Sequence, residues 1–151
     1  MVSERASART DRIRLLVVGL ALSLASHAAV ADVVAVVSAK STITTLSKSQ
    51  LADIFLGKVS RLPNGARVVA IDQAEDAPAR AEFYLKLADR SAPQMKAYWS
   101  KIIFTGRGQP PEEVHSSADM KKRIAADPAA IGYIEESLVD DSVRVVGRVQ
   151  E

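Results

Sequence analysis

The segment Ile71-Asp72-Gln73-Ala74-Glu75-Asp76-Ala77-Pro78-Ala79-Arg80-Ala81-Glu82-Phe83 gathers the polar groups best placed to meet a ligand. An apolar run, VVAI, leads in, and a helical pattern, ARAEFYLKLA, leads out. Where a strand turns into a helix, the first backbone N–H groups are free, carry partial positive charge and favour an anion. This turn holds three acids instead, Asp72, Glu75 and Asp76, and no glycine. Arg80, in the first helical turn, is its cation. Asp76 stands where a helix N-cap is expected.

Other residues have the types that chemistry needs but not the arrangement. Glu112, Glu113 and His115 could supply metal ligands, yet PPEEVHSS is a proline-bounded loop without helical register, which favours a solvated histidine. Serines are plentiful, but no G-x-S-x-G elbow is present and His115 has no recognisable partner. The adjacent pairs Glu135-Glu136 and Asp140-Asp141 point their side chains apart in a strand or a helix. Tyr98 and Trp99 could stack on a sugar or a base, but their helical spacing with Met95 and Ile102 favours a core role. FTGRGQP, around Arg107, has the glycines of a phosphate-holding nest and equally those of a helix end followed by a turn, the reading preferred. Lys121-Lys122-Arg123 reads as a solvated helix face. Neither catalytic residues, metal ligands nor a cofactor are expected, and the chain reads as a non-enzyme.

The elements that position these residues follow from apolar periodicity. VVAVV (33–37) suits a strand buried on both faces. Ser47 and Gln50 have capping-box spacing, Leu46 and Leu51 that of a hydrophobic staple, and Gly57 suits the position just past the helix end. LPNGA (62–66) is a turn and ARVVAI (66–71) a second strand. Phe83, Tyr84, Leu87 and Ala88 fall on one side of the next helix. Ser91 and Gln94 repeat the capping box, with Pro93 in the first turn. A further helix, ADMKKRIAA, is capped by Ser116 or Ser117 and ended by Asp127-Pro128. AAIGYIE (129–135) and VRVVGRV (143–149) complete the strands. Strands alternating with helices indicate an α/β layer with a mixed, mostly parallel sheet flanked by helices.

The first residues stand apart from this fold. MVSERASARTDRIR is basic, LLVVGLALSLASHAAVA is apolar, and the run closes on Ala29-Val30-Ala31. That order is expected to be a secretory signal peptide, residues 1–31, cleaved after Ala31 and leading to the periplasm. The apolar run is broken by Ser23, Ser26 and His27 and is short for a membrane span. The chain carries 20 basic and 18 acidic residues, of which the leader holds four and two, leaving sixteen of each in residues 32–151. A neutral exported domain offers no electrostatic footprint for nucleic acid, and without cysteine it has neither disulfides nor thiolate metal sites.

Three stretches in this order, LSKSQLADIFLGK, the strand and turn of IDQAEDAPARAEF, and AADPAAIGYIEE, resemble the periplasmic phosphate-binding proteins. Those are the substrate-binding components of phosphate ABC transporters, with the type II periplasmic-binding-protein fold. WSKIIFTGRGQPP resembles small single-lobe relatives. The resemblance runs from about Val33 to Glu136 and implies one lobe of a fold that normally closes two lobes on its ligand. In phosphate-binding members the turn is similar to R-S-D-G-S-G-T. Aligned on Phe83, the arginine position falls on Gln73 and the aspartate on Glu75. The serine, glycine and threonine positions fall on Ala77, Pro78 and Ala79, so the cation, the hydroxyls and the approachable backbone are replaced. The resemblance therefore implies a solute-binding-like protein that has largely lost its phosphate-binding turn. Ser38, Ser41, Thr42, Gln73 and Arg80 are the expected ligand contacts, for a small anion or other solute held weakly. The partner implied is an ABC transporter or a periplasmic sensor. The alternative reading is an interaction module that docks a partner chain through its half-cleft.

Overall fold

A computed structural model describes residues 31–150 of the chain. All but the last residue of the expected leader lies outside the described residues. Five strands, β1 (Val33–Ser38), β2 (Val69–Gln73), β3 (Glu112–Val114), β4 (Ala130–Glu135) and β5 (Val143–Arg148), form one sheet in the order β3-β2-β4-β1-β5. Four helices accompany them: α1 (Lys48–Phe55), α2 (Pro78–Ala88), α3 (Ala92–Phe104) and α4 (Ser117–Ala126).

β2 pairs in parallel with β3 and with β4, whereas β1 is antiparallel to both β4 and β5. Four strands thus run one way and β1 runs against them. The sheet is mixed and mostly parallel, as the sequence implied. All six residues of β1 are buried, and the two-residue period of a strand divides them between two cores. Val33, Ala35 and Val37 join Leu51 and Phe55 of α1, Phe83 and Leu87 of α2, and Met95 and Trp99 of α3. Val34 and Val36 join Met120 and Ile124 of α4. Three helices therefore cover one face of the sheet and α4 the other.

The capping signals hold where the sequence has both halves of the motif. Ser47 accepts from the Gln50 N–H while the Gln50 side chain accepts from the Ser47 N–H, and Ser91 and Gln94 do the same at α3. Beyond α1, Gly57 adopts φ +71°, and the N–H groups of Gly57 and Lys58 reach the carbonyls of Ile54 and Asp53. These are the two bonds of a Schellman ending, which require a left-handed residue at that place.

Two expectations need correction. α2 starts from Ala77 with no side-chain cap, so Asp76 does not cap it; Pro78 supplies the pre-set φ of a first helical residue. Glu112–Val114 is not a loop but a short edge strand, placed beside Ile71–Gln73. Three residues with two exposed acids carry too little apolar pattern for a strand to be read from sequence.

At the other edge, β5 is held against the approach to α1. The Leu46 N–H donates to the Val146 carbonyl at 2.8 Å. A Cβ built on Gly147 would lie 2.8 Å from Leu51 Cδ1 and 2.9 Å from the Leu46 carbonyl oxygen. The backbone atom cannot move aside without breaking that bond. Gly147→Ala should destabilise the protein by about 1–3 kcal/mol, the usual cost of overpacking. A denaturant melt showing an unchanged midpoint would contradict this packing.

Candidate functional site

The carboxyl ends of β2 and β4 meet the amino ends of α2 and α4. Asp72 and Gln73 are the last residues of β2, and adjacent strand residues face opposite sides of the sheet. Asp72 turns toward α2 and Gln73 toward α4. Both are 1% exposed.

The Asp72 carboxylate is held by donors from three elements. Arg80 Nε, on the first turn of α2, lies 3.2 Å from Oδ2, and Tyr84 Oη, one turn further, lies 2.9 Å from the same oxygen. The Tyr133 hydroxyl, from β4, donates to Oδ1 in a short hydrogen bond, and the Gln73 N–H donates to Oδ1 at 2.8 Å. Arg80 and Asp72 form an ion pair with side chains 6% and 2% exposed. Removing two such charges from water costs several kcal/mol per ion, which only close geometry and filled hydrogen-bond sites offset. Here the carboxylate has its donors. Among the described residues, the two terminal nitrogens of Arg80 donate to no acceptor; the guanidinium carbon lies 5.2 Å from the centre of the Tyr84 ring.

Aromatic packing fixes these groups in place. Phe83 stacks on Tyr133 with ring centres 3.9 Å apart, and Phe55 meets Phe83 edge-on at 4.8 Å. Each phenol is thereby a wall of the core and a donor to the carboxylate. Burial, and then the neighbouring Asp72 charge, push the pKa values of Tyr84 and Tyr133 far upward, because a second anion there would be unsolvated and repelled. Burial opposes the charge of Arg80, but the Asp72 carboxylate, with smaller contributions from the tyrosines, outweighs it and leaves the pKa raised. Arg80 is charged at any working pH.

Gln73 belongs to the other face. Its Nε2 donates to Ser117 Oγ and to the Tyr133 carbonyl, each at 3.0 Å, and so ties β2 to β4 and α4. Glu75 and Asp76 remain exposed on the turn, with Glu75 3.3 Å from Lys96.

The five residues expected to contact a ligand form two separate groups. Gln73 and Arg80 sit at the carboxyl end of β2. Ser38 ends β1, and because β1 runs the other way its end lies beside the start of β4, near Ala130 and Ile131. About four residues of strand, roughly 13 Å, separate the two levels. Ser38 Oγ is engaged with the Ala125 carbonyl, Ser41 Oγ accepts from the Ile43 N–H, and Thr42 is exposed. A parallel β1 would have united the two groups; the antiparallel strand parts them. Sequence reasoning missed Asp72 as an inward-facing acceptor, and with it Tyr84, Tyr133 and Ser117. The available signal was spacing: Asp72, Arg80 and Tyr84 recur at intervals that put a strand end under one face of the following helix. Among the described residues no group of three potential metal ligands converges, around His115 or elsewhere.

No family model and no curated protein matches the sequence. Solved structures do match the fold. A phosphate ABC transporter substrate-binding protein with bound phosphate, from Clostridium perfringens, superposes with a TM-score of 0.61 at 20% identity, over 76% of this chain and 44% of that one. An ABC-type phosphate transport receptor from Vibrio cholerae gives 0.59 at 18% identity, over 76% and 45%. PstS from Borrelia burgdorferi gives 0.54 at 15% identity, over 77% and 46%. The chain thus has the fold of part of these substrate-binding proteins and spans less than half of their length.

The two phenols carry a pH signature. Because their folded pKa values are raised, the stability they contribute is complete below the unfolded value of about 10 and is lost as pH rises beyond it. The protein has three tyrosines, so in a Tyr98→Phe background all phenolate absorbance comes from Tyr84 and Tyr133. It should appear only together with the loss of near-ultraviolet circular dichroism. Phenolate forming near pH 10 in a protein that keeps its tertiary signal would contradict the buried network.

Proposed function

We propose that this protein is an exported, non-enzymatic, solute-binding-like lobe whose anion-binding turn is occupied from within. The observation that carries the proposal is the bond from Arg80 Nε to the buried Asp72 carboxylate. Two charges 4 Å apart interact by about 4 kcal/mol at an effective dielectric near 20. Any free anion that displaced Asp72 would forfeit that attraction and the tyrosine bonds with it. Asp72 is also tethered, so it competes without the translational cost that a free ion bears. An anion that left Asp72 in place would find only the two terminal nitrogens of Arg80, on a turn that also carries Glu75 and Asp76.

Inorganic phosphate should therefore bind no tighter than about 1 mM, near −4 kcal/mol. The supporting reason is twofold: Gln73, Ala77, Pro78 and Ala79 stand where the family's turn has donors, and the charge of Arg80 is already balanced by Asp72, which leaves an anion only its two terminal nitrogens. Isothermal calorimetry on the exported protein tests this, with Glu75→Gln/Asp76→Asn as a companion in which affinity stays weak or rises. A micromolar constant in the unmodified protein would overturn the proposal. On this reading the chain works as an accessory to an ABC transporter or a periplasmic sensor. A second reading, docking of a partner chain, is favoured by one observation away from the turn: Phe104, at the end of α3, is 92% exposed.

A further inference from the structure

The outer face of α3 carries a groove of about 550 Å³ lined by Arg90, Gln94, Ala97, Tyr98, Lys101, Ile102 and Arg107. Three of these seven are cations and none is an acid. Among the described residues, none of Arg90, Lys101 and Arg107 forms an ion pair, although Lys58, Lys86, Lys96, Lys121, Arg123 and Arg148 all do. Lys40, Lys48, Arg61, Arg67, Lys122 and Arg144 likewise form no ion pair among the described residues, so what marks this groove is that three cations line it with no acid between them.

The groove is also held in shape. Tyr98 donates its hydroxyl to the Leu56 carbonyl at 2.6 Å, and the Arg90 guanidinium lies 5.0 Å from the centre of the Tyr98 ring. The capping box at Ser91 and Gln94 fixes the start of the helix beneath. The negative end of the helix dipole lies near Lys101 and Arg107 and would disfavour an anion by about half a charge. It is blunted by Thr105 Oγ1, which donates to the Lys101 and Ile102 carbonyls, and is outweighed by three full cations. Phe104 stands three residues after Lys101 and so flanks the groove next to that lysine, outside its lining. An exposed aromatic beside unpaired cations is the composition of a protein-binding anchor, in which the aromatic supplies affinity and the charges supply selectivity.

We propose that this groove docks an acidic segment of a partner protein, with an apolar side chain of that segment against Phe104 and its carboxylates facing Arg90, Lys101 and Arg107. The proposal rests on the docking reading above and names the chemistry of the partner. It does not depend on whether the turn at Arg80 binds phosphate.

The test is photo-crosslinking in the cells that make the protein, from a Phe104→benzoylphenylalanine variant of the full chain, with mass-spectrometric mapping of the adduct. The expected result is an adduct within a net-acidic segment of another protein. Adding Lys101→Glu and Arg107→Glu should lower its yield at least tenfold, while Lys122→Glu on α4 leaves it unchanged. Thermal melts of the purified variants confirm that each is folded; these side chains are exposed, so the midpoints should coincide. An adduct in a neutral or basic segment, or one indifferent to charge reversal, would overturn the acidic partner alone. Adducts only with lipid, only with a second copy of this chain, or with nothing would overturn the docking reading itself.

Discussion

One buried carboxylate organises the part of this protein where a ligand would be sought. Asp72 ends β2, and its oxygens accept from Arg80 and Tyr84 on α2, Tyr133 on β4 and the Gln73 N–H. Truncating one partner of such a network leaves a charge or a hydroxyl without water and without a mate, at about 3–5 kcal/mol for a buried ion. The helix, two strands and the aromatic stack around Phe83 therefore share a single constraint. The turn cannot be remodelled toward a free anion without undoing the contacts that seat α2 on the sheet.

The strand next to this site sets the other limit. β1, like β4, is buried on both faces and divides its residues between two cores. Its direction carries Ser38 and Ser41 to the end of the sheet away from Arg80. In open α/β sheets, ligands collect at the carboxyl ends of parallel strands. β2 and β4 provide such an end here, while β1 contributes its amino end to that rim. Ser38 at the end of β1 is accordingly bonded to the Ala125 carbonyl and the Lys40 N–H, and Ser41 beyond it to the Ile43 N–H.

Much of this architecture was legible in the sequence because it rests on short-range chemistry. Both capping boxes, the glycine after α1, the two-faced burial of β1 and the burial of Met95 and Trp99 on α3 follow from residue spacing alone, whereas Ile103, at the same helical spacing, is 54% exposed. What was not legible depends on direction and on distant partners. Nothing in VVAVV fixes it as antiparallel, because a strand buried on both faces has the same pattern in either sense. Asp72 read as one more acid on a crowded turn. Its role appears only when Tyr133, sixty-one positions away, is brought alongside by β4. The edge strand at Glu112–Val114 is formed by backbone pairing to β2, and side-chain type has little part in it.

The central claim is that Arg80 belongs to Asp72 and not to a solute. A double-mutant cycle on folding stability, with Asp72→Asn, Arg80→Gln and the two combined, measures that commitment. Each single substitution should cost about 3 kcal/mol or more, and the pair should cost less than their sum by at least about 2 kcal/mol, the coupling expected of charges that share a buried site. Additive losses below about 1 kcal/mol each would show two independent side chains and contradict the account.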